Sequence, residues 1–387
     1  MTRELTVVAL IVFVTSLFTR SVDPVIPQIA DGLSVEIATA ALLSTAFALP
    51  YAIVQPVLGA LADMMSKTRL MMICLVLLVL STAISAVAPD YTTLMVSRVF
   101  AGIASGGIFP IALAAAGDRV PVKMRQVAIG RLLAAGMIGN LLGASVSGVV
   151  GDLAGWRGVF LVTGMLGVLV VITALIGFRG VPKDETTGFD LSTLRPNYRA
   201  IFGNPQAKYC FGAVFFEAMF LFGLFPHVAA LLVESGETRA SIAGLVLAGF
   251  GAGAIIYTVV VGWLLSRIGE TRLMLGGGLI MATGYVLISL RLPWPVEFLV
   301  FVLMGFGFYW LHGCIQVYAT ELAPAARGSA MALHSAFFFL GQASGPVVYG
   351  VGFAYLGKTP MLLTGAFVIT VTGLICSHKL RRTPAPA

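Results

Sequence analysis

The chain has 387 residues, 58% of them apolar and 11% charged, with a formal net charge of +7 and a mean hydropathy of +0.98. A soluble domain carries about one quarter charged residues, so the composition excludes a water-soluble globular protein and describes a membrane one. Alternating ten-residue strands are absent, which excludes a β-barrel.

Twelve apolar stretches read as spanning helices, at about 6–30, 35–62, 69–88, 91–117, 126–150, 156–179, 208–234, 239–266, 272–291, 296–320, 327–355 and 359–378. The first lacks a small-residue cleavage site and continues through Pro24 and Pro27, so it reads as a retained helix rather than a removed signal. Six spans lie on each side of the polar segment 180–207. The expected organisation is therefore a bundle over 1–179, a cytoplasmic linker over 180–207 and a second bundle over 208–387. With both termini in the cytoplasm, eighteen of the 24 Lys and Arg residues fall inside, four fall outside, and Arg20 and Arg98 fall within spans. That bias predicts N-in, C-in topology. It accounts for the positive charge without a nucleic-acid partner. Cys74, Cys210, Cys314 and Cys376 sit in or beside apolar spans with no CxxC spacing, and read as small core residues. No ATP site, metal cluster, cofactor site or nucleophile with a base is legible, so an enzyme is not expected.

Residues Gly59 to Met71, GALADMMSKTRLM, recur as Gly262 to Met274, GWLLSRIGETRLM, 203 residues on. The same shift aligns Gly102 with Gly305, Asp118 with Glu321, Pro121 with Pro324, and Arg131 with His334. A repeat of half the chain in an apolar protein is how many transporters build a site between halves. Six spans is an even number, so the expected axis relating the halves runs along the membrane normal.

These residues carry a family resemblance. Gly59-x-Leu61-Ala62-Asp63 followed by Lys67 and Arg69 resembles the loop 2–3 signature of the major facilitator superfamily. Leu94-xxx-Arg98-xxx-Gly102 is similar to its fourth-helix motif. Gly139-Asn140-xx-Gly143-Ala144 resembles a degraded form of its antiporter motif, with Asn140 and Ala144 where that motif has Pro and Gly. Gly155-Trp156-Arg157 before Phe160 resembles the drug:proton antiporter branch. The resemblance implies an all-α fold of two six-helix bundles, helices 1, 4, 7 and 10 lining a central path, and a cytoplasmic charge network that latches the halves. The candidate gate residues are then Asp63 with Arg69, Asp118 with Arg125, Arg272, and Glu321 with Arg327. The second copy has Ser266 where the first has Asp63.

Charges inside spans are expensive and default to function. Arg20 and Asp23 lie on one face of the first helix, and counting about 1.5 Å per residue puts Arg98 at a similar depth. Asp23 is expected to pair with Arg20 or Arg98. Two arginines against one aspartate favour an anionic or zwitterionic ligand. Drug antiporters often carry an acid four residues before the first Pro, where this chain has Arg20. Glu217 lies in FFEAMFLFGLF near the middle of the seventh span, a carboxyl among phenylalanines that can load and release a proton. The tenth span carries Tyr309, Trp310, His312 and Gln316. His312 can take a proton or hold ligand; His227 and His334 lie near helix ends and are assigned no role.

The candidate substrate-binding residues are Arg20, Asp23, Arg98, Glu217, Tyr309, His312 and Gln316, with Asp23 and Glu217 as proton carriers. The expected function is proton-coupled efflux of a small organic, anionic or amphipathic molecule by a monomer surrounded by lipid in a bacterial-type inner membrane. Uptake or exchange of an organic anion is the alternative, and a lipid flippase or transporter-like sensor a further one.

Overall fold

A computed structural model of the chain describes residues 3–120, 122–180 and 194–380. Among them the regular elements are helical. They run α1 (Arg3–Arg20), α2 (Ile26–Gly32), α3 (Ile37–Met64), α4 (Lys67–Ala86), α5 (Tyr91–Gly106), α6 (Ile108–Arg119) and α7 (Val122–Gly177). After the central segment come α8 (Leu194–Gly203), α9 (Ala207–Glu234), α10 (Ala240–Ile268), α11 (Glu270–Ser289), α12 (Trp294–Glu321), α13 (Arg327–Tyr355) and α14 (Lys358–Lys379). Eleven stretches among the described residues are long and apolar enough to cross a membrane.

The sixth predicted span is joined to the fifth in one helical run, so the twelve predicted spans give eleven stretches. α7 has 56 residues, which at about 1.5 Å each would reach more than twice across hydrocarbon. It is broken at Gly155, whose φ of 66° and ψ of 177° are open essentially to glycine alone. The predicted gap between spans five and six is thus a single reversed residue instead of a loop. We expect Gly155→Val to lower stability by about 1–3 kcal/mol, read as a shift in thermal unfolding in detergent; an unmoved midpoint would mean the turn is made elsewhere.

The first predicted span is interrupted too. Pro24 and Pro27 lack backbone N–H groups, and the chain answers with a 3-10 turn, Asp23–Val25, between α1 and α2. That break is what sets Arg20 and Asp23 side by side. The fourth span divides at Gly107 into α5 and α6, and α5 starts on Asp90, whose side chain accepts from the Thr93 amide at 2.8 Å.

Two compact units emerge. One holds α1–α7 together with Pro226–Leu247; the other holds α8, α9 up to Phe225, and the chain from Ala248 onward. The change of allegiance within α9 falls at Pro226, inside the helix. In the first unit, the carboxylate of Asp152 accepts from the amides of Ala240 (2.7 Å) and Ser241 (2.9 Å), capping α10 with a side chain from α7. Backbones meet closely beside it, since a Cβ on Gly148 would strike the carbonyl of Ala240. Asp152→Ala is expected to cost about 1 kcal/mol, measured by thermal melting. A loss no larger than that of an exposed aspartate elsewhere would refute the cap.

The repeat is visible in the packing. A Cβ on Gly102 would strike the carbonyl of Phe47, and one on Gly305 would strike that of Phe250, pairs related by the 203-residue shift. The first and fifth helices keep the correspondence in a different register. Gly139 meets Phe13 and Gly143 meets Leu17, as Gly341 meets Phe215 and Gly345 meets Met219, pairs 202 residues apart. One residue is therefore lost between the two registers, and the expected match of Arg131 with His334 gives way to Leu132 with His334. Close approach explains why glycine occupies these positions, since helices without a hydrophobic drive between them pack on small residues.

Candidate functional site

In the first unit, the break between α1 and α2 leaves Arg20 Nη1 3.4 Å from Asp23 Oδ2, with Ser44 Oγ of α3 donating to Oδ1 at 2.9 Å. Asp23 is 1% exposed and Arg20 8%. The expected ion pair is therefore with Arg20. Arg98, also buried, lies with its guanidinium 4.5 Å from the centroid of the Phe47 ring, and its Nε has no hydrogen-bond partner. Three buried charges, two positive and one negative, make this cluster cationic.

In the second unit, Glu217 Oε2 of α9 lies 2.9 Å from His312 Nδ1 of α12. Glu217 is fully buried and its Oε1 has no partner. The imidazole stacks on Phe308 at 4.6 Å and meets Phe338 at 5.3 Å. Phe222 ties the wall together, touching Phe225, Phe250, Phe308 and Phe338. Tyr309 stacks on Tyr257 at 5.9 Å and meets Phe308 edge-on. A pair that shares one proton inside an aromatic wall can hold or release it as the surroundings change.

His334 is the residue that sequence reasoning set aside. It is 3% exposed, its Nε2 has no partner, and its ring lies 5.2 Å from that of His312. Its position near a helix end hid this, because depth along a helix says nothing about which face is presented. A histidine inside the apolar span 327–355 was the available signal, since polar groups within spans are costly.

The two registers connect the clusters. Arg20, Asp23 and Arg98 correspond to Phe222, Phe225 and Phe301, where the rings are 5.1 Å and 5.8 Å apart in turn. Glu217, His312 and His334 correspond to Thr15, Phe109 and Leu132. Each half therefore carries polar groups where the other has mainly apolar side chains.

The remaining predicted residues are less concentrated. Gln316 is exposed. Arg69, Arg272, Glu321 and Arg327 are exposed at the ends of α4, α11, α12 and α13. The side chains of Asp63, Asp118 and Arg125 lie outside the described residues. One loop-level contact was not anticipated: the Tyr318 hydroxyl donates to Glu270 Oε2 at 3.3 Å. The four cysteines are free and buried, as read from their spacing.

The sequence profile of the Major Facilitator Superfamily matches residues 8–346 and, in a second match, 210–387. The chain is 25% identical to the inner membrane transport protein YdhP of Escherichia coli strain K12 over 368 residues, covering 93% of this chain and 91% of that one. It is 25% identical to the quinolone resistance protein NorA of Staphylococcus aureus strain Mu50 over 402 residues, covering 97% and 96%. Among solved structures, a bacterial homologue of the human lysosomal transporter Spinster, in an inward-facing and unoccupied conformation, superposes with a TM-score of 0.80. Its identity is 18%, over 99% of this chain and 98% of that one, a likeness of fold.

Proposed function

The chain belongs to the major facilitator superfamily, and from that premise we propose that this multi-pass transporter of small molecules exports an aromatic or amphipathic compound in exchange for protons. Membership makes it a transporter and not an enzyme. The observation that carries the finer reading is the Glu217–His312 contact, 2.9 Å long and enclosed by aromatic rings. A carboxyl held this way binds one proton, and a compound with a flat apolar face can lie against the same rings. The relatives named for drug resistance support export as the direction.

In this reading the two six-helix halves, 1–179 and 208–387, rock about the site in a bacterial inner membrane, with both termini cytoplasmic and the protein acting as a monomer. The loop residues Asp63, Arg69, Asp118, Arg125, Arg272, Glu321 and Arg327 form the cytoplasmic gate. Proton loading on Glu217 and release of substrate alternate, since each state favours one occupant.

The test is flux in proteoliposomes of a panel containing a fluoroquinolone, lipophilic aromatic dyes and organic anions, with and without an imposed pH gradient. At least one aromatic member is expected to accumulate with the gradient and to leak away when a protonophore is added. Gradients that never change any flux would end the proton-antiport reading. The buried cationic cluster favours a second reading, exchange of an organic anion on Arg20 and Arg98. In that case Arg98→Gln abolishes anion flux, and unchanged flux eliminates the anion site.

A further inference from the structure

Three polar side chains of the second unit follow one another by contact, the buried Glu217 and His334 on either side of the partly buried His312. Counting about 1.5 Å per residue from the helix ends nearest the central segment, Glu217 is roughly 15 Å in along α9, His312 roughly 13 Å along α12, and His334 roughly 10 Å along α13. Glu217 touches His312 through Nδ1, and the His312 ring faces that of His334 at 5.2 Å and 58°. His334 keeps a buried Nε2 with no partner. A buried polar atom without a partner is uncommon and calls for a reason. Packing alone supplies none, because the matching position in the first half is Leu132.

We propose that His334 relays the coupling proton between the Glu217–His312 pair and water on the side of the central segment. This rests on the reading of Glu217 as the proton-carrying group. The balance is one proton in and one out. His334 gives a proton to the free ring nitrogen of His312, and His312 gives its Nδ1 proton to the Glu217 carboxylate. His312 ends neutral as the other tautomer, and His334, which takes a proton from water on its other ring nitrogen as it gives one up, stays neutral too. Discharge runs the same steps backward. The gap between the rings is spanned by one bridging water or a turn of the His334 ring, the reach that proton transfer requires.

A separate exit has a physical use in exchange. The side chain of His312 keeps 13% exposure, and a flat substrate lying along Tyr309 and Phe308 covers that edge. With the edge covered, His334 is the way left for the proton. The other titratable groups that act on Glu217 from the packed helices are Tyr285, Tyr309 and Cys376, with Cys210, Tyr257, Cys314 and Tyr349 beside them, thiols and phenols that carry no charge at neutral pH. α8, which packs on α13, adds the exposed Arg199.

The experiment is a pH jump on the purified full chain, following the carbonyl stretch of the protonated carboxyl by time-resolved infrared spectroscopy. The band is assigned to Glu217 by its loss in Glu217→Gln. His334→Ala is expected to slow protonation of Glu217 by about tenfold or more while leaving the end-point amplitude in place, and added imidazole is expected to restore the rate. His334→Gln, which keeps a polar side chain that cannot relay a proton, covers the case in which alanine fails to fold, and is expected to be equally slow. Wild-type rates in a folded His334 variant, or slowing that imidazole does not relieve, would overturn the relay and leave direct entry through His312. A band that never titrates, or one that survives in Glu217→Gln, would instead remove the reading of Glu217 itself.

Discussion

Glu217→Gln is expected to reduce flux driven by a pH gradient to the level of empty liposomes, while the variant folds and still lets substrate equilibrate down its own gradient. The reasoning starts from geometry. Glu217 has no solvent exposure, and one oxygen meets His312 Nδ1 at 2.9 Å. Glutamine keeps the size and the hydrogen bond but cannot bind or release a proton, so the chemistry is lost while the packing remains. Its expected effect on stability is small, at most about 1 kcal/mol, because the partner stays satisfied. His312→Phe is expected to do more harm to stability, since it leaves the carboxyl buried with no partner. Gradient-driven accumulation persisting in Glu217→Gln would place the coupling proton elsewhere, with Asp23 the next carboxyl to test.

The second large effect concerns folding. Asp23→Ala is expected to cost about 3–5 kcal/mol, because it leaves Arg20, bonded to it at 3.4 Å, and Arg98, stacked on Phe47, buried without the carboxylate that balances them. Loss of monodisperse protein in detergent, or a large drop in melting temperature, is the readout. The repeat offers its own control. The positions matching Arg20, Asp23 and Arg98 are Phe222, Phe225 and Phe301, which pack ring against ring. The triple change Arg20→Phe, Asp23→Phe and Arg98→Phe is therefore expected to recover most of the stability that Asp23→Ala loses, since an apolar replacement of buried charges is often neutral or better. It is not expected to recover transport of any anion. A single Asp23→Ala variant as stable as the parent would show that the arginines find water or another partner, and the charged cluster would lose its structural meaning.

The sequence carried much of the architecture because membranes impose simple rules. Apolar runs report on spans and Lys and Arg in loops predict orientation, whereas the breaks at Pro24 and Pro27 and at Gly155 came only with the structure. The half-chain repeat was legible in GALADMMSKTRLM and its copy, and the glycine contacts of Gly102 and Gly305 repeat it in three dimensions. The candidate site was legible only as a set of separate residues. Arg20, Asp23, Arg98, Glu217, Tyr309 and His312 stood out because polar groups are costly at that depth. Gln316 stood out for the same reason, yet it is exposed.

The sequence by itself determined the class, the twelve-span plan, the repeat and four of the buried charges, Arg20, Asp23, Arg98 and Glu217, because each follows from the local cost of placing a side chain in hydrocarbon. The burial of Lys67 and Glu297 came only with the structure. Tertiary structure alone decided which of those charges meet. Glu217 and His312 are 95 residues apart, and their contact depends on how α9 and α12 are rotated about their axes. His334 joins them because α13 packs against α12 and approaches α9 backbone to backbone at Gly341 and Gly345. The close contacts also show that the repeat shifts by one residue between its two registers, from 203 to 202. A helix presents a new face with each residue, about 100° on, so a shift that sequence comparison hardly notices decides which residue faces the site.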